Sequence, residues 1–250
     1  MFSDPVSLAI VCFAVIVLGL SKGGFSGIGA MATPMVALIV PPMQAAAIML
    51  PILILQDIVS VWAFRKSWDG WIIAWMMPGA LIGIAIGYFF SAQMSVAAIT
   101  TVLGGITAGF ALYRLWLERG ARIVAASSSP GWVGSMFGVA LGFTSHIAHA
   151  GGPPFQIWVL PRKLPHLTYV GTSAIVFALV NWAKVPGYAA LGEFTRENLI
   201  ASAKLAPLAI VSTLAGVWLI RRIDAERFYT LIYLIMVVLG GKLMWDGITG

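Results

Sequence analysis

The sequence predicts an all-α polytopic membrane protein, and three observations carry that prediction. The 250 residues are 60% hydrophobic and only 10% charged, with a mean hydropathy of +0.95, far too apolar for a water-soluble domain. Apolar runs of about 20 residues recur, the length a helix needs to cross a hydrocarbon layer of roughly 30 Å. A membrane β-barrel would instead show short stretches of alternating polarity.

The first apolar segment is 5–20. Residues 1–20 lack a basic start and a small-residue cleavage site, so this stretch is expected to remain as a membrane segment rather than a removable signal. Cys12, the one cysteine, lies inside it. A lone thiol leaves no internal disulfide, redox CxxC pair or cysteine zinc cluster. A glycine-rich break follows, Ser21-Lys22-Gly23-Gly24-Phe25-Ser26-Gly27, and then a short apolar piece, 30–40, that ends at Pro41-Pro42. Three full-length spans come next, at 44–64, 71–90 and 96–117.

A polar stretch, 118–130, contains Ser127-Ser128-Ser129 and separates this pattern from its repetition. The segment 132–143 leads to a second break, Thr144-Ser145-His146-Ile147-Ala148-His149-Ala150-Gly151-Gly152-Pro153-Pro154. A short piece at 155–160 follows, then spans at 166–184, 199–220 and 228–248. Pro78, Gly87 and Trp116 recur as Pro207, Gly216 and Trp245, each 129 positions later. Pro34 and Pro42 align with Pro154 and Pro165 when small gaps are allowed. The expected organisation is a first membrane repeat (1–118), a cytoplasmic linker (119–131) and a second membrane repeat (132–250).

Each broken segment could be a hairpin that dips in and returns, or one interrupted helix that crosses once. Cytoplasmic loops are enriched in Lys and Arg, which decides between them. Hairpins put Arg65, Lys66, Arg119, Arg122, Arg162, Lys163, Arg221, Arg222 and Arg227 on one side, with Arg114 one turn away. The other side then receives Arg196, beside Glu193 and Glu197. Single crossings would split the basic clusters. The asymmetry therefore predicts hairpins, both termini outside, and a second half inserted upside down relative to the first. Trp62, Trp68, Trp71 and Trp132 fall near span ends, as interfacial anchors do.

Paired interruptions in two halves of a membrane protein are the best sequence pointer to a substrate site. Unpaired backbone is intolerable in lipid, so the breaks must be buried in protein or line a wet cavity. Helices that start after a break direct free N–H groups and partial positive charge at what sits there. Lys22 adds a full charge at the first break, unless the hairpin spans fully and the lysine snorkels to an interface. The candidate anion ligands are Lys22, Gly23, Gly24 and Ser26 at the first break. At the second they are Ser145, His146, His149, Gly151, Gly152 and Gln156. Thr172, Ser173 and Asn181 in the following span complete the set, although the run Gly171-Thr172-Ser173 also suits plain helix packing. His146 and His149 have helical spacing, but no carboxylate or cysteine joins them at that break, which argues against a metal. Each of the two is equally readable as a packing histidine.

Asp57 is the one acidic residue deep in a span, where a carboxylate costs about 2.5–3.5 kcal/mol and so needs a partner or a task. It is a candidate proton or cation relay, or a fixed counter-ion to a lysine. The repeat sets it opposite Asn181, 124 positions later. Lys184, toward the outer end of the same span as Asn181, is either a coupling group or an interfacial anchor. No P-loop is present, so no ATP motor is built in. Neither HExxH nor GxSxG occurs, so no hydrolytic apparatus is visible. The +6 net charge is explained by topology, and nucleic acid is not an expected partner.

The chain resembles the TauE/SafE family of membrane proteins, associated with sulfite export and with transport of small organosulfur anions. The resemblance rests on Gly23-Gly24-Phe25-Ser26-Gly27-Ile28-Gly29 with Pro34, and on Gly151-Gly152-Pro153-Pro154. It also rests on Gln44-Ala45-Ala46-Ala47 before Leu50-Pro51, and on Gly171-Thr172-Ser173 with Asn181, Lys184 and Tyr188. Many relatives carry a tighter GxGGG run at both tips than this chain does. The resemblance implies a secondary transporter of the cytoplasmic membrane, with no cofactor and no enzyme activity. Its substrate would be sulfite or an organosulfonate, moved by alternating access. The expected partners are that sulfur anion and the lipid bilayer. A coupling H+ or Na+ and a homodimer are compatible with the reading. The competing readings are an anion channel, and an accessory or assembly protein whose polar breaks bind a partner helix.

Overall fold

The computed structural model describes residues 4–22, 28–118, 128–219 and 226–249. Its first half holds α1 (Pro5–Lys22), a 3-10 turn (Ile28–Met31), α2 (Ala32–Val36), α3 (Pro42–Phe64), α4 (Gly70–Gln93) and α5 (Val96–Glu118). The second half holds α6 (Gly131–Ala148), α7 (Gly152–Val159), a 3-10 turn (Leu160–Arg162), α8 (His166–Ala190), α9 (Arg196–Leu219) and α10 (Glu226–Thr249). No strand occurs among the described residues. Five of these helices, α1, α3, α4, α5 and α9, are long and apolar enough to cross a bilayer by length and composition. Large apolar side chains such as Leu81, Phe89, Val211, Trp218 and Val238 stand exposed on the outside. An exterior this apolar suits lipid, not water.

Both broken segments fold back on themselves. Val11, Val15 and Leu18 of α1 share a buried cluster with Ala32 and Val36 of α2, so the second arm lies along the first. A Cβ on Gly134, near the start of α6, would collide with the Trp158 indole at the end of α7. The second arm of that hairpin therefore returns to where its first arm began.

Two expected boundaries move. The second break was expected to begin at Thr144, yet α6 continues to Ala148 and carries Ser145 and His146 inside the helix. Its terminator is His149, a non-glycine residue in the left-handed region at φ 51°. Its N–H donates to the Ser145 carbonyl at 3.1 Å, and that of Ala150 to the Thr144 carbonyl at 3.2 Å, satisfying the last turn. The span expected at 166–184 runs on through Pro186 to Ala190, so Lys184 lies well inside it.

The long helices meet through small residues. Without a hydrophobic drive between helices in lipid, close backbone approach is what holds them. In the α4–α6 contact, a Cβ on Gly79 would strike the Ser135 carbonyl oxygen and one on Gly83 that of Val139. From the other side, Cβ atoms on Gly138 and Gly142 would strike the Met76 and Ala80 carbonyls. Gly19 and Gly216 play this part between α1 and α9, and Gly104, Gly240 and Gly247 between α5 and α10. The remaining large contacts are α3 with α8 and α9, and α4 with α8.

Candidate functional site

The C-terminal ends of α1 and α6, the two hairpin helices that break off inside the protein, approach the facing helices α3 and α8. Between them lies a cavity of about 80 Å³. By the measure that a water needs roughly 10–15 Å³, this admits a few waters or one small oxyanion. Its polar wall is formed by Ser21, Lys22, Ser145, His149, Gln156, Ser173 and Asn181. Leu18, Leu53, Phe155, Tyr169 and Phe177 supply much of the rest, and Gly29 and Gly152 approach from the two breaks.

Lys22 is the last residue of α1. Its Nζ lies 2.5 Å from Asp57 Oδ1 and 5.1 Å from the centre of the Phe177 ring. Asn181 Nδ2 donates to the other carboxylate oxygen, Asp57 Oδ2, at 2.5 Å. Asp57 thus bridges the first half to the second, with its side chain 2% exposed. The Ser60 hydroxyl donates to the Lys22 carbonyl at 3.1 Å and holds the end of α1 in place.

Lys184 is fully buried. The expectation of a place near the outer surface fails because α8 extends beyond it. Its Nζ donates to the Ser145 carbonyl at 3.1 Å, approaches Ser145 Oγ at 3.1 Å, and lies 2.6 Å from His149 Nδ1. His149 Nε2 lies 2.9 Å from the Ala46 carbonyl oxygen, which can only accept, so Nε2 carries the proton. Nδ1 is then the acceptor from Lys184, and His149 is neutral. Lys184 itself lines no part of the cavity, but the two side chains it holds, Ser145 and His149, do.

The other predicted ligands divide. Ser173 lines the cavity while its hydroxyl donates to the Val170 carbonyl at 3.0 Å. Gln156 lines it too, and its Oε1 accepts from Arg114 Nη1 at 3.0 Å. Thr172 does not reach it. Its hydroxyl donates to the Thr168 carbonyl and accepts from the Asp69 N–H at 2.9 Å, tying α8 to the loop before α4. His146 is also off the wall. It is fully buried, with both ring nitrogens lacking a partner among the described residues and its ring 5.0 Å from that of Tyr188. Gly151 is the N-cap of α7, packed near Phe177, and Gly152 faces the cavity. Because Pro153 and Pro154 have no N–H, the start of α7 offers few donors. The N–H groups of Gly151 and Gly152 have no acceptor among the described residues. Gly23, Gly24 and Ser26 lie outside the described residues.

Sequence reasoning missed Ser21, Ser60 and Arg114. The repeat could have found the first two. The same 124-position offset that pairs Asp57 with Asn181 also pairs Ser21 with Ser145, Lys22 with His146, and Ser60 with Lys184. In each half, the side chain at the last of these positions reaches the end of the broken helix. Ser60 does so with its hydroxyl and Lys184 with its amine. Arg114 sits behind Gln156, with Nε donating to the Tyr233 hydroxyl at 3.0 Å, and carried no signal beyond its charge.

An all-α architecture of long apolar helices, with charged side chains buried where two hairpins break, defines a polytopic membrane protein. Residues 11–243 match the family described as sulfite exporter TauE/SafE, and the chain belongs to that family. It is accordingly a multi-pass protein of a membrane transporter family. Comparison with curated proteins and with solved structures returns no match.

Proposed function

We propose that the cavity binds a small sulfur oxyanion, sulfite or an organosulfonate, and that the protein carries it across the cytoplasmic membrane as a secondary transporter. The observation that carries this is a charge count. Two lysines converge on the cavity region, Lys184 fully buried and Lys22 partly so, and among the described residues one buried carboxylate, Asp57, faces them. His149 adds no charge, so with Lys184 protonated these groups hold one positive charge more than they neutralise. Burying a charge without a partner is costly, and a bound anion supplies the partner. Lys22 and the hydroxyls of Ser21 and Ser145 would contact it, with Ser173, Asn181, Gln156 and the N–H groups near Gly152 alongside. Gly23, Gly24 and Ser26 remain proposed ligands from the first break.

The transport cycle we infer is alternating access between two inverted repeats, 1–118 and 132–250, joined by a cytoplasmic linker at 119–131. Support comes from the helix contacts, which exchange when the halves are exchanged. The α4–α6 contact corresponds to α9–α1 and the α3–α9 contact to α8–α4, while α3–α8 and α5–α10 map onto themselves.

The test is thermal stability of the purified protein against sulfite, thiosulfate, sulfate, taurine, sulfoacetate and acetate. A ligand selective for the folded state at roughly a hundred times its Kd stabilises by about 2.7 kcal/mol. The expected outcome is a rise in Tm with a sulfur anion that disappears in Lys22→Met. No shift with any sulfur anion at millimolar levels, or an undiminished shift in Lys22→Met, refutes the site.

A further inference from the structure

Lys184 is where a surplus charge would reside, because Lys22 already has Asp57. We propose that Lys184 is a proton-binding site linked to the cavity, taking up a proton when the anion enters and releasing it when the anion leaves. This rests on the anion-site reading above and names its coupling ion and the residue that carries it.

The hydrogen-bond geometry at Nζ fits both protonation states. As an ammonium, Lys184 has three N–H donors and faces three acceptors: the Ser145 carbonyl, Ser145 Oγ and His149 Nδ1. As an amine it has two N–H donors and one lone pair. The Ser145 carbonyl and His149 Nδ1 take the two donors, and the Ser145 hydroxyl can turn and donate its own hydrogen to the lone pair. No group is left unsatisfied either way. The hydroxyl is the moving part, and Ser145 lines the cavity. When Lys184 is an ammonium, Ser145 O–H is free to donate to an anion. When Lys184 is an amine, that hydrogen is turned away. The proton therefore arrives on the Nζ lone pair from water and departs to water, with no other bond made or broken.

The groups around Lys184 leave it this role. From α6 it faces His149 and, one turn earlier, His146; from α3, Asp57; and from α1, Lys22. Asp57 is occupied by Lys22 and Asn181. From α4, Tyr88 packs beside Gly187. On α8 itself, Tyr188 donates its hydroxyl to the His146 carbonyl, and Glu193 lies beyond the helix end. Among the described residues no carboxylate comes within salt-bridge distance of Lys184.

Calorimetric titration of the full-length protein, in two buffers of different ionisation enthalpy, counts the protons taken up as an anion binds. Thiosulfate and methanesulfonate are the primary probes, because their own charge is constant near neutrality. Sulfite is measured beside them with its own titration subtracted. The expected result is net uptake approaching about one proton per anion on the alkaline side of a series from about pH 6 to about pH 9. Lys184→Arg, which cannot become an amine, should bind without uptake, and Lys184→Met should bind more weakly and independently of pH. Anion binding by the wild type with no net uptake across the series overturns the coupling alone, whether or not the variants fold. Undiminished uptake in Lys184→Arg also overturns it. Failure of every probe to bind the wild type overturns the anion site and the coupling together.

Discussion

Asp57 shows how little of a buried charge's role can be read from its neighbours in sequence. Its two oxygens are held by a lysine 35 positions earlier and an asparagine 124 positions later, both at 2.5 Å. The internal repeat aligned the asparagine with Asp57 as an equivalent position but did not make it a partner, since equivalent positions need not touch. A lysine counter-ion was one of the two roles expected of Asp57, but which lysine was not legible, since nothing in a linear pattern says which side of a helix faces a break. With both oxygens occupied, Asp57 is a counter-ion and a tie between the halves. Breaking a buried pair by removing one partner costs about 3–5 kcal/mol, while removing both leaves no orphaned charge. Asp57→Asn should therefore lower Tm sharply, and Lys22→Met combined with Asp57→Asn should be more stable than Asp57→Asn alone. Thermal melts of the two single variants and the double variant check this. Additive losses would mean that the pair is not coupled.

At the scale of the element, the glycines that marked the repeat mark contact. Gly87 on α4 and Gly216 on α9 were visible in the sequence as a matched pair. In the structure both press on the last turns of a broken helix, Gly87 against His146 and Gly216 against Leu20. The α4–α6 contact is the most demanding, since backbone meets backbone there with no side chain to move aside. Overpacking a close-fitted interior typically costs about 1–3 kcal/mol, and a rigid backbone contact belongs at the top of that range. Gly83→Val should lower Tm accordingly, whereas Gly105→Val, where a Cβ has open space, should not. Equal melts for the two would contradict the packing described here. The end of α6 was misread for a physical reason. No glycine or proline stops the helix at Thr144, and the left-handed turn at His149 is imposed by its bonds to Lys184 and Ala46 from other helices.

For the whole molecule, the proposed inverted repeat makes a topological prediction. Both termini lie outside and the linker lies inside. In a Cys12→Ser background, a membrane-impermeant maleimide should label Thr249→Cys in intact cells. Ser128→Cys should be labelled only after permeabilisation. The reverse pattern would invert the orientation, and labelling of both from outside would remove the repeat.

The sequence alone determined the fold class, the two broken hairpins, the number and approximate place of the long helices, and the alignment of Asp57 with Asn181. The first three follow from length, apolarity and internal repetition, which are properties of the chain read in order; repetition aligned Asp57 with Asn181 as equivalent positions, and their hydrogen bond is a finding of the tertiary structure. Tertiary structure decided that Lys22 neutralises Asp57, that Thr172 serves a loop and not the cavity, and that Lys184 is buried against Ser145 and His149. Those outcomes depend on which helix faces are turned toward one another and on where α6 and α8 end. Both are set by contacts between residues far apart in the chain, which no local pattern encodes.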